Sequence, residues 1–275
     1  MWVVNWDVVT LFTQIPHSQT HRIEKKTYMR LVVTAIFLLW IVLWVIFSLV
    51  LLGITALLDI LLGHKERTLT LRTSYLVARV VYLTCPMWRV NVEGKETLAE
   101  GKPYVITANH QSFFDIPLMF FIPNNRGFNF VSKIEVRKIP AIGWMLGLRD
   151  DIVIRRGTAS AATCVMDEGT EHLQGGTSVV IFPEGTRSKD NKVHLFKDGA
   201  FKLAQANNVG VVPCVIVGTR GLLTKRGAAT RTLILRIFPP IEAEQVQQFA
   251  TARDLAQHIQ ALTAENFEEM QGRKA

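Results

Sequence analysis

The sequence predicts an α/β domain, a mixed and mostly parallel sheet covered by helices, behind an N-terminal apolar helical membrane anchor. Six short apolar or β-branched runs recur between residues 104 and 238, with helix-like stretches among them. An uncharged stretch from Leu31 to Leu58 precedes them. The polar motifs fall where the strand-like runs end, which is where open α/β sheets gather their chemistry.

Residues 1–27 form a mixed lead-in whose Trp2 and Trp6 suit a membrane interface. Residues 28–88 are the expected anchoring region. From Leu31 to Leu58 the only polar residues are Thr34, Ser48 and Thr55. As a helix this stretch would be about 42 Å long, against a hydrocarbon core of about 30 Å. It therefore reads as a membrane segment, either spanning with tilt or bending back at Gly53. Basic residues flank both ends, Arg22, Lys25, Lys26 and Arg30 before it and Lys65, Arg67 and Arg72 after it. The positive-inside rule gives no orientation from them, and both ends at one anionic surface fits equally. Ser74 to Trp88 reads as a returning or interfacial helix, or as one packed on the following domain. The run starts too far in and is too long for a cleaved signal peptide.

Residues 89–275 are the expected α/β domain. Arg89 to Gly94 alternates like a strand ending in a turn. Strand-like runs follow at 104–108, 128–132, 151–155, 178–182, 211–217 and 232–238. Residues 158–174 have helical length and stop at Gly175-Gly176. Leu255, Ile259 and Leu262 mark one face of a last helix that docks on the core.

Composition narrows the function. The chain has 275 residues, 49% of them apolar, a net charge of +8 and a mean hydropathy of +0.21. The charge lies outside the apolar segment but forms no continuous run and no nucleic-acid motif. An anionic membrane and phosphorylated substrates explain it better than nucleic acid does. Cys85, Cys164 and Cys214 lack metal-ligand spacing and read as reduced thiols on a cytosol-facing domain. The seven histidines are scattered, so no metal site is expected. No G-x-S-x-G elbow supplies the nucleophile a lipid-ester hydrolase needs.

The most informative segment is Asn109-His110-Gln111-Ser112-Phe113-Phe114-Asp115, straight after the strand Tyr104–Ala108. A histidine and a carboxylate at a strand end can act as a base and its orienter. On a continuous helix, five residues would put the two side chains roughly 140° apart. They can meet only if the chain turns between them, with Asp115 near the start of the next helix and Ser112 or Asp115 as its cap.

A second block, Phe182-Pro183-Glu184-Gly185-Thr186-Arg187-Ser188, follows the strand Ser178–Ile181. The exposed amides of Gly185 and Thr186 with the Arg187 guanidinium suit a phosphate monoester. A third strand-like run, Ile152-Val153-Ile154, ends in Arg155-Arg156-Gly157. The fourth, Val211-Val212-Pro213-Cys214-Val215-Ile216, is a core or acyl-contact strand.

In chain order the four blocks resemble the glycerophospholipid acyltransferase family, and within it the bacterial 1-acylglycerol-3-phosphate (lysophosphatidic acid) acyltransferases. NHQSFFD is similar to the first family motif, DDIVIRRG lies where the second falls, FPEGTRS matches the third and VVPCVI corresponds to the fourth. The likeness runs from roughly Trp88 to Pro239. One departure is Arg155, where the family carries an acidic residue before its arginine.

The resemblance implies acyl transfer without a cofactor. His110 would take the proton from the sn-2 hydroxyl of 1-acylglycerol-3-phosphate as it attacks an acyl thioester, and Asp115 would steer the imidazole. Acyl-CoA or acyl carrier protein is the implied donor and phosphatidic acid the product. Lys133, Arg156 and Arg187 would hold the acceptor phosphate, with Glu184, Gly185 and Thr186 shaping its pocket. The implied location is the inner (cytoplasmic) membrane, with the domain facing the cytosol against anionic lipid. Another lysophospholipid or a lyso-ornithine-lipid acceptor is the alternative within this chemistry, and a non-catalytic membrane-binding module the alternative outside it.

Overall fold

The structure, a computed structural model, describes residues 17–65, 67–85, 87–95, 101–123, 127–155, 159–224 and 227–272. Helix α1 (His17–Leu61) is one unbroken element of 45 residues. It passes straight through Gly53, where an added Cβ would meet nothing within 4 Å. A bend there is therefore absent. One glycine costs a helix only about 1 kcal/mol, and its Leu and Ile neighbours are good or neutral formers. The reversal comes after Leu61, through Gly63 at φ +73°.

Helix α1 carries a long apolar segment, Val32–Leu61, long and apolar enough to cross a membrane. One stripe of it is covered. Phe37, Ser48, Leu52, Ala56 and Asp59 are buried, at helical spacing, against helix α2 (Thr68–Thr84) and the sheet. Phe37 meets the Trp88 ring edge-on at 5.3 Å. Val42, Leu43, Ile46, Phe47, Val50 and Ile54, on the remaining surface, are each more than half exposed.

Asp59, the first charge after the apolar run, is fully buried and has a definite use. Its Oδ1 accepts from the Leu69 amide and pairs with His64 Nδ1, both at 3.0 Å. Its Oδ2 accepts from the Thr70 amide at 2.9 Å and the Thr70 hydroxyl at 2.7 Å. These amides belong to the first turn of α2, which has no intrahelical partners for them. The carboxylate thus locks the two helices into a hairpin.

The α/β part begins with β1 (Trp88–Glu93) and β2 (Tyr104–Ala108). There follow α3 (Asp115–Leu118), β3 (Phe128–Lys133), α4 (Ile134–Arg137), α5 (Ile142–Arg149) and β4 (Ile152–Ile154). Then come α6 (Ala159–Gln174), β5 (Ser178–Ile181), α7 (Gly199–Ala206) and β6 (Gly210–Val217). A small hairpin, β7 (Leu223–Thr224) and β8 (Gly227–Ala228), leads to β9 (Arg231–Ile237), α8 (Ala243–Val246) and α9 (Ala252–Gly272).

The main sheet has the order β1-β9-β6-β2-β5-β3-β4. Strands β6, β2, β5, β3 and β4 are parallel neighbours; β9 and β1 run parallel to each other, and β9 pairs antiparallel with β6. The expected mixed, mostly parallel sheet is what forms. Tyr104, Ile106 and Ala108 of β2 face one core with Val180, Val212 and Ile216, under α2. Val105 faces the other with Val179, Val211, Phe201 and Leu255. Burial on both faces explains why these strands read as continuous apolar runs.

Asp151, taken from the sequence as the start of a strand, lies just before β4 and is buried. It pairs with buried Arg149 at 2.9 Å and accepts the Phe130 amide at 2.7 Å, while Arg149 donates to the Phe128 carbonyl at 2.7 Å. This pair ties the sheet edge together.

Candidate active site

Strands β2 and β5 are parallel neighbours, so the segments leaving their carboxyl ends, residues 109–115 and 182–188, emerge side by side. On the other flank of β2, the register pairs Ala108 with Cys214 of β6. Asn109 then fixes the chain as it leaves the sheet. It is fully buried; its Nδ2 donates to the Ile216 carbonyl at 2.9 Å and its Oδ1 accepts the Ile216 amide at 2.8 Å.

The chain turns through Ser112-Phe113-Phe114 and enters α3 at Asp115, whose side chain folds back over the turn. Asp115 Oδ2 accepts from the amides of Gln111 at 2.6 Å and Ser112 at 2.8 Å, and meets His110 Nδ1 at 2.8 Å. Its Oδ1 accepts from the Thr219 hydroxyl. The carboxylate is fully buried and surrounded by donors. An oxygen already taking two amide protons receives from Nδ1, so the network assigns the ring proton to Nδ1 and leaves Nε2 as an acceptor. That is the tautomer a general base requires.

One further contact holds the imidazole, and two hold the backbone of His110. Phe182 stacks on the ring at a centroid distance of 4.2 Å and 19° between planes. Glu184 takes the His110 amide on Oε1 at 2.8 Å, and the Ser188 amide donates to the His110 carbonyl at 2.8 Å. The histidine backbone is thus clamped between two residues of the 182–188 segment. The outer carboxylate oxygen of Glu184 accepts the His194 amide at 3.3 Å.

Burial pushes the Glu184 carboxyl up to about 7, against the pull of the two amides. In an unfolded chain a glutamate titrates near about 4.3. Between those pH values the folded state holds more protons on this group than the unfolded state does. Its contribution to stability therefore falls as pH rises through the window and is level outside it. Glu184→Gln removes the titration. The unfolding midpoint of the variant, relative to wild type, should climb between about pH 4.5 and pH 7. Thermal unfolding at a series of pH values checks this, and a constant offset would refute it.

The other residues singled out in the sequence lie around this pair. Gly185 has φ +73°, and a Cβ there would come within 3.0 Å of Lys197 Nζ. Glycine thus sets the turn and lets a lysine lie close over it. Thr186 and Arg187 follow in the same loop and are exposed. Lys133 closes β3, the strand beside β5, and pairs with Glu135 at 3.2 Å. Arg156 lies outside the described residues. Arg155, at the end of β4, is exposed.

Both oxygens of Glu184 accept backbone amides, so the carboxyl braces His110, a part not assigned to it from sequence. Asn109, Phe182, Ser188 and Thr219 were not singled out from sequence. Asn109, Phe182 and Ser188 stand inside the motifs. Thr219 lies two residues beyond the end of β6, and nothing in its local pattern marks it.

The carboxyl ends of two neighbouring parallel strands thus bring a His–x₄–Asp pair beside a Pro-Glu-Gly-Thr-Arg loop. Residues 89–217 match the family described as Acyltransferase. A chloroplastic 1-acyl-sn-glycerol-3-phosphate acyltransferase, LPAT1 of Arabidopsis thaliana, is 38% identical over 135 residues, which are 49% of this chain and 37% of that protein. The 1-acyl-sn-glycerol-3-phosphate acyltransferase of Saccharomyces cerevisiae is 33% identical over 202 residues, 70% of this chain and 64% of that one. The chain thus spans well under half the length of the first relative and just under two thirds of the second. The crystal structure of the 1-acyl-sn-glycerophosphate (LPA) acyltransferase PlsC from Thermotoga maritima superposes with a TM-score of 0.72 at 27% identity, covering 89% of this chain and 97% of that one.

Proposed function

We propose that the chain is a membrane-bound acyltransferase that moves a fatty acyl group from an acyl thioester to the sn-2 hydroxyl of 1-acylglycerol-3-phosphate, giving phosphatidic acid. The observation that carries this reading is the His110–Asp115 pair at 2.8 Å, with Nε2 free to accept and a phosphate-suited loop one strand away. His110 Nε2 takes the hydroxyl proton as the oxygen attacks the thioester carbonyl, the thiolate leaves, and the proton passes to it. Asp115 holds the Nδ1 proton and balances the charge on the ring while the imidazolium exists.

Arg187, Lys133 and Arg156, with the amides of Gly185 and Thr186, hold the acceptor phosphate and so place its hydroxyl at His110. The exposed apolar face of α1 supports membrane binding, because lysophosphatidate and its product both reside in the bilayer. The covered stripe from Phe37 to Asp59 ties α1 along the domain. That favours a helix embedded in one leaflet over a lone crossing span; the side proposed for the domain, the cytosolic face of the inner membrane, rests on the family resemblance alone. Acyl-CoA and acyl carrier protein are both acidic and suit the basic domain as donors, with no cofactor.

The test is incubation of purified protein with labelled acyl-CoA and a panel of lysolipids. Phosphatidate as the only product supports the reading, and acylation of lysophosphatidylcholine alone would refute it. Arg187→Ala should raise KM for lysophosphatidate about tenfold or more while leaving KM for the thioester within about twofold. Equal effects on both would remove Arg187 from the phosphate site.

A further inference from the structure

Helices α4 and α5 meet in an elbow at residues 138–141 that takes no part in the site described above. Ile139 is 43% exposed and Trp144, in the first turn of α5, is 64% exposed. Arg137, Lys138 and Pro140 beside them are exposed too. Helix α5 packs against α1.

The elbow is firmly built. Ala141 sits at φ 68° and ψ −52°, the strained γ-turn conformation that a residue with a Cβ adopts only when its surroundings impose it. A Cβ on Gly143 would lie 2.0 Å from the Arg137 carbonyl oxygen, so only glycine fits where the two helices touch. The Gly143 amide donates to the Ile139 carbonyl at 2.9 Å and the Ile142 amide to that of Pro140 at 2.8 Å. Tryptophan with an aliphatic neighbour and two cations, on a rigid turn, is the composition that lodges at a membrane–water boundary.

We propose that this elbow is a second membrane-docking element, with Trp144 and Ile139 entering the headgroup–acyl boundary of the bilayer that receives α1, and Arg137 and Lys138 meeting its anionic headgroups. The proposal rests on the reading of α1 as bilayer-bound. Two separated contacts would fix the tilt of the domain, which α1 alone leaves free to roll about its own axis. The charge favours this occupant, since a second copy of the same basic chain would bring like charges to the elbow.

The experiment uses the full chain and vesicles of phosphatidylethanolamine with phosphatidylglycerol. Wild type that fails to sediment with them overturns the membrane reading of α1 itself. If wild type binds, the double variant Ile139→Asn/Trp144→Ser should partition about tenfold more weakly and show a KM for vesicle-borne lysophosphatidate raised by about the same factor. Its turnover of a short-chain lysophosphatidate dispersed in detergent should match wild type, which also reports that it folds. Lys138→Glu alone should weaken binding to anionic vesicles and leave binding to neutral ones unchanged. Variants that bind and turn over vesicle substrate like wild type overturn the proposal. So does a double variant whose only change is loss of self-association by light scattering, which would make the elbow a contact between copies of the chain.

Discussion

His110→Ala is expected to lower acyl transfer by about 10²–10⁴, the range a positioned general base contributes. The variant should still fold and still bind vesicles. Asp115 keeps the Gln111 and Ser112 amides and the Thr219 hydroxyl, so no buried charge is stranded. The Asn109 bonds to β6 and the backbone clamp from Glu184 and Ser188 do not involve the imidazole. Turnover of the purified variant at the wild-type rate would show that another group takes the proton.

The second large effect is expected from Asp115→Asn. The amide oxygen can occupy the Oδ2 position, accepting from the same two backbone amides and from Nδ1. The new NH₂ then points to Thr219, whose hydroxyl rotates to accept instead of donate. The tautomer and the loop survive, so what is lost is the negative charge that balances the imidazolium. A loss of about 10²–10⁴ in kcat with little change in either KM is the expected signature. A rise in KM for lysophosphatidate with kcat preserved would mean that Asp115 shapes the acceptor pocket instead.

The sheet was legible because strands buried on both faces leave a plain mark. Tyr104–Ala108 and Val211–Val217 read as continuous apolar runs and became β2 and β6. The meeting of His110 with Asp115 was legible as a condition: helical geometry forbids it on a continuous helix, and the chain does turn and start α3 at Asp115. Long-range partners were not legible. Thr219 is 104 residues from the carboxylate it supports, and Ile216 is 107 from Asn109. Only the register of β2 against β6 brings them together.

Glu184 shows a different limit. A carboxylate after a strand, next to glycine and arginine, has the sequence character of a pocket residue. The backbone groups that consume its oxygens, the amides of His110 and His194, carry no sequence signal of their own. The course of α1 was hidden for a related reason. Uninterrupted apolar sequence hides which stripe will be covered, and Phe37, Leu52 and Ala56 look no different from their exposed neighbours.

The helical hairpin also reaches the turn between His110 and Asp115 directly. The Tyr82 hydroxyl donates to the Phe114 carbonyl at 2.6 Å, one residue before Asp115, and Arg79 Nε donates to the Phe120 carbonyl at 3.0 Å. Tyr75 lies against Phe120 and Phe128 at centroid distances of 5.4 and 5.0 Å. Trimming the chain to its sheet, the obvious way to seek a detergent-free catalyst, would bare those aromatics and release the loop that carries Asp115. A water-soluble derivative is better sought by polar replacement along the outer residues of the first helix, such as Leu43, Ile46 and Val50, leaving its partner helix whole.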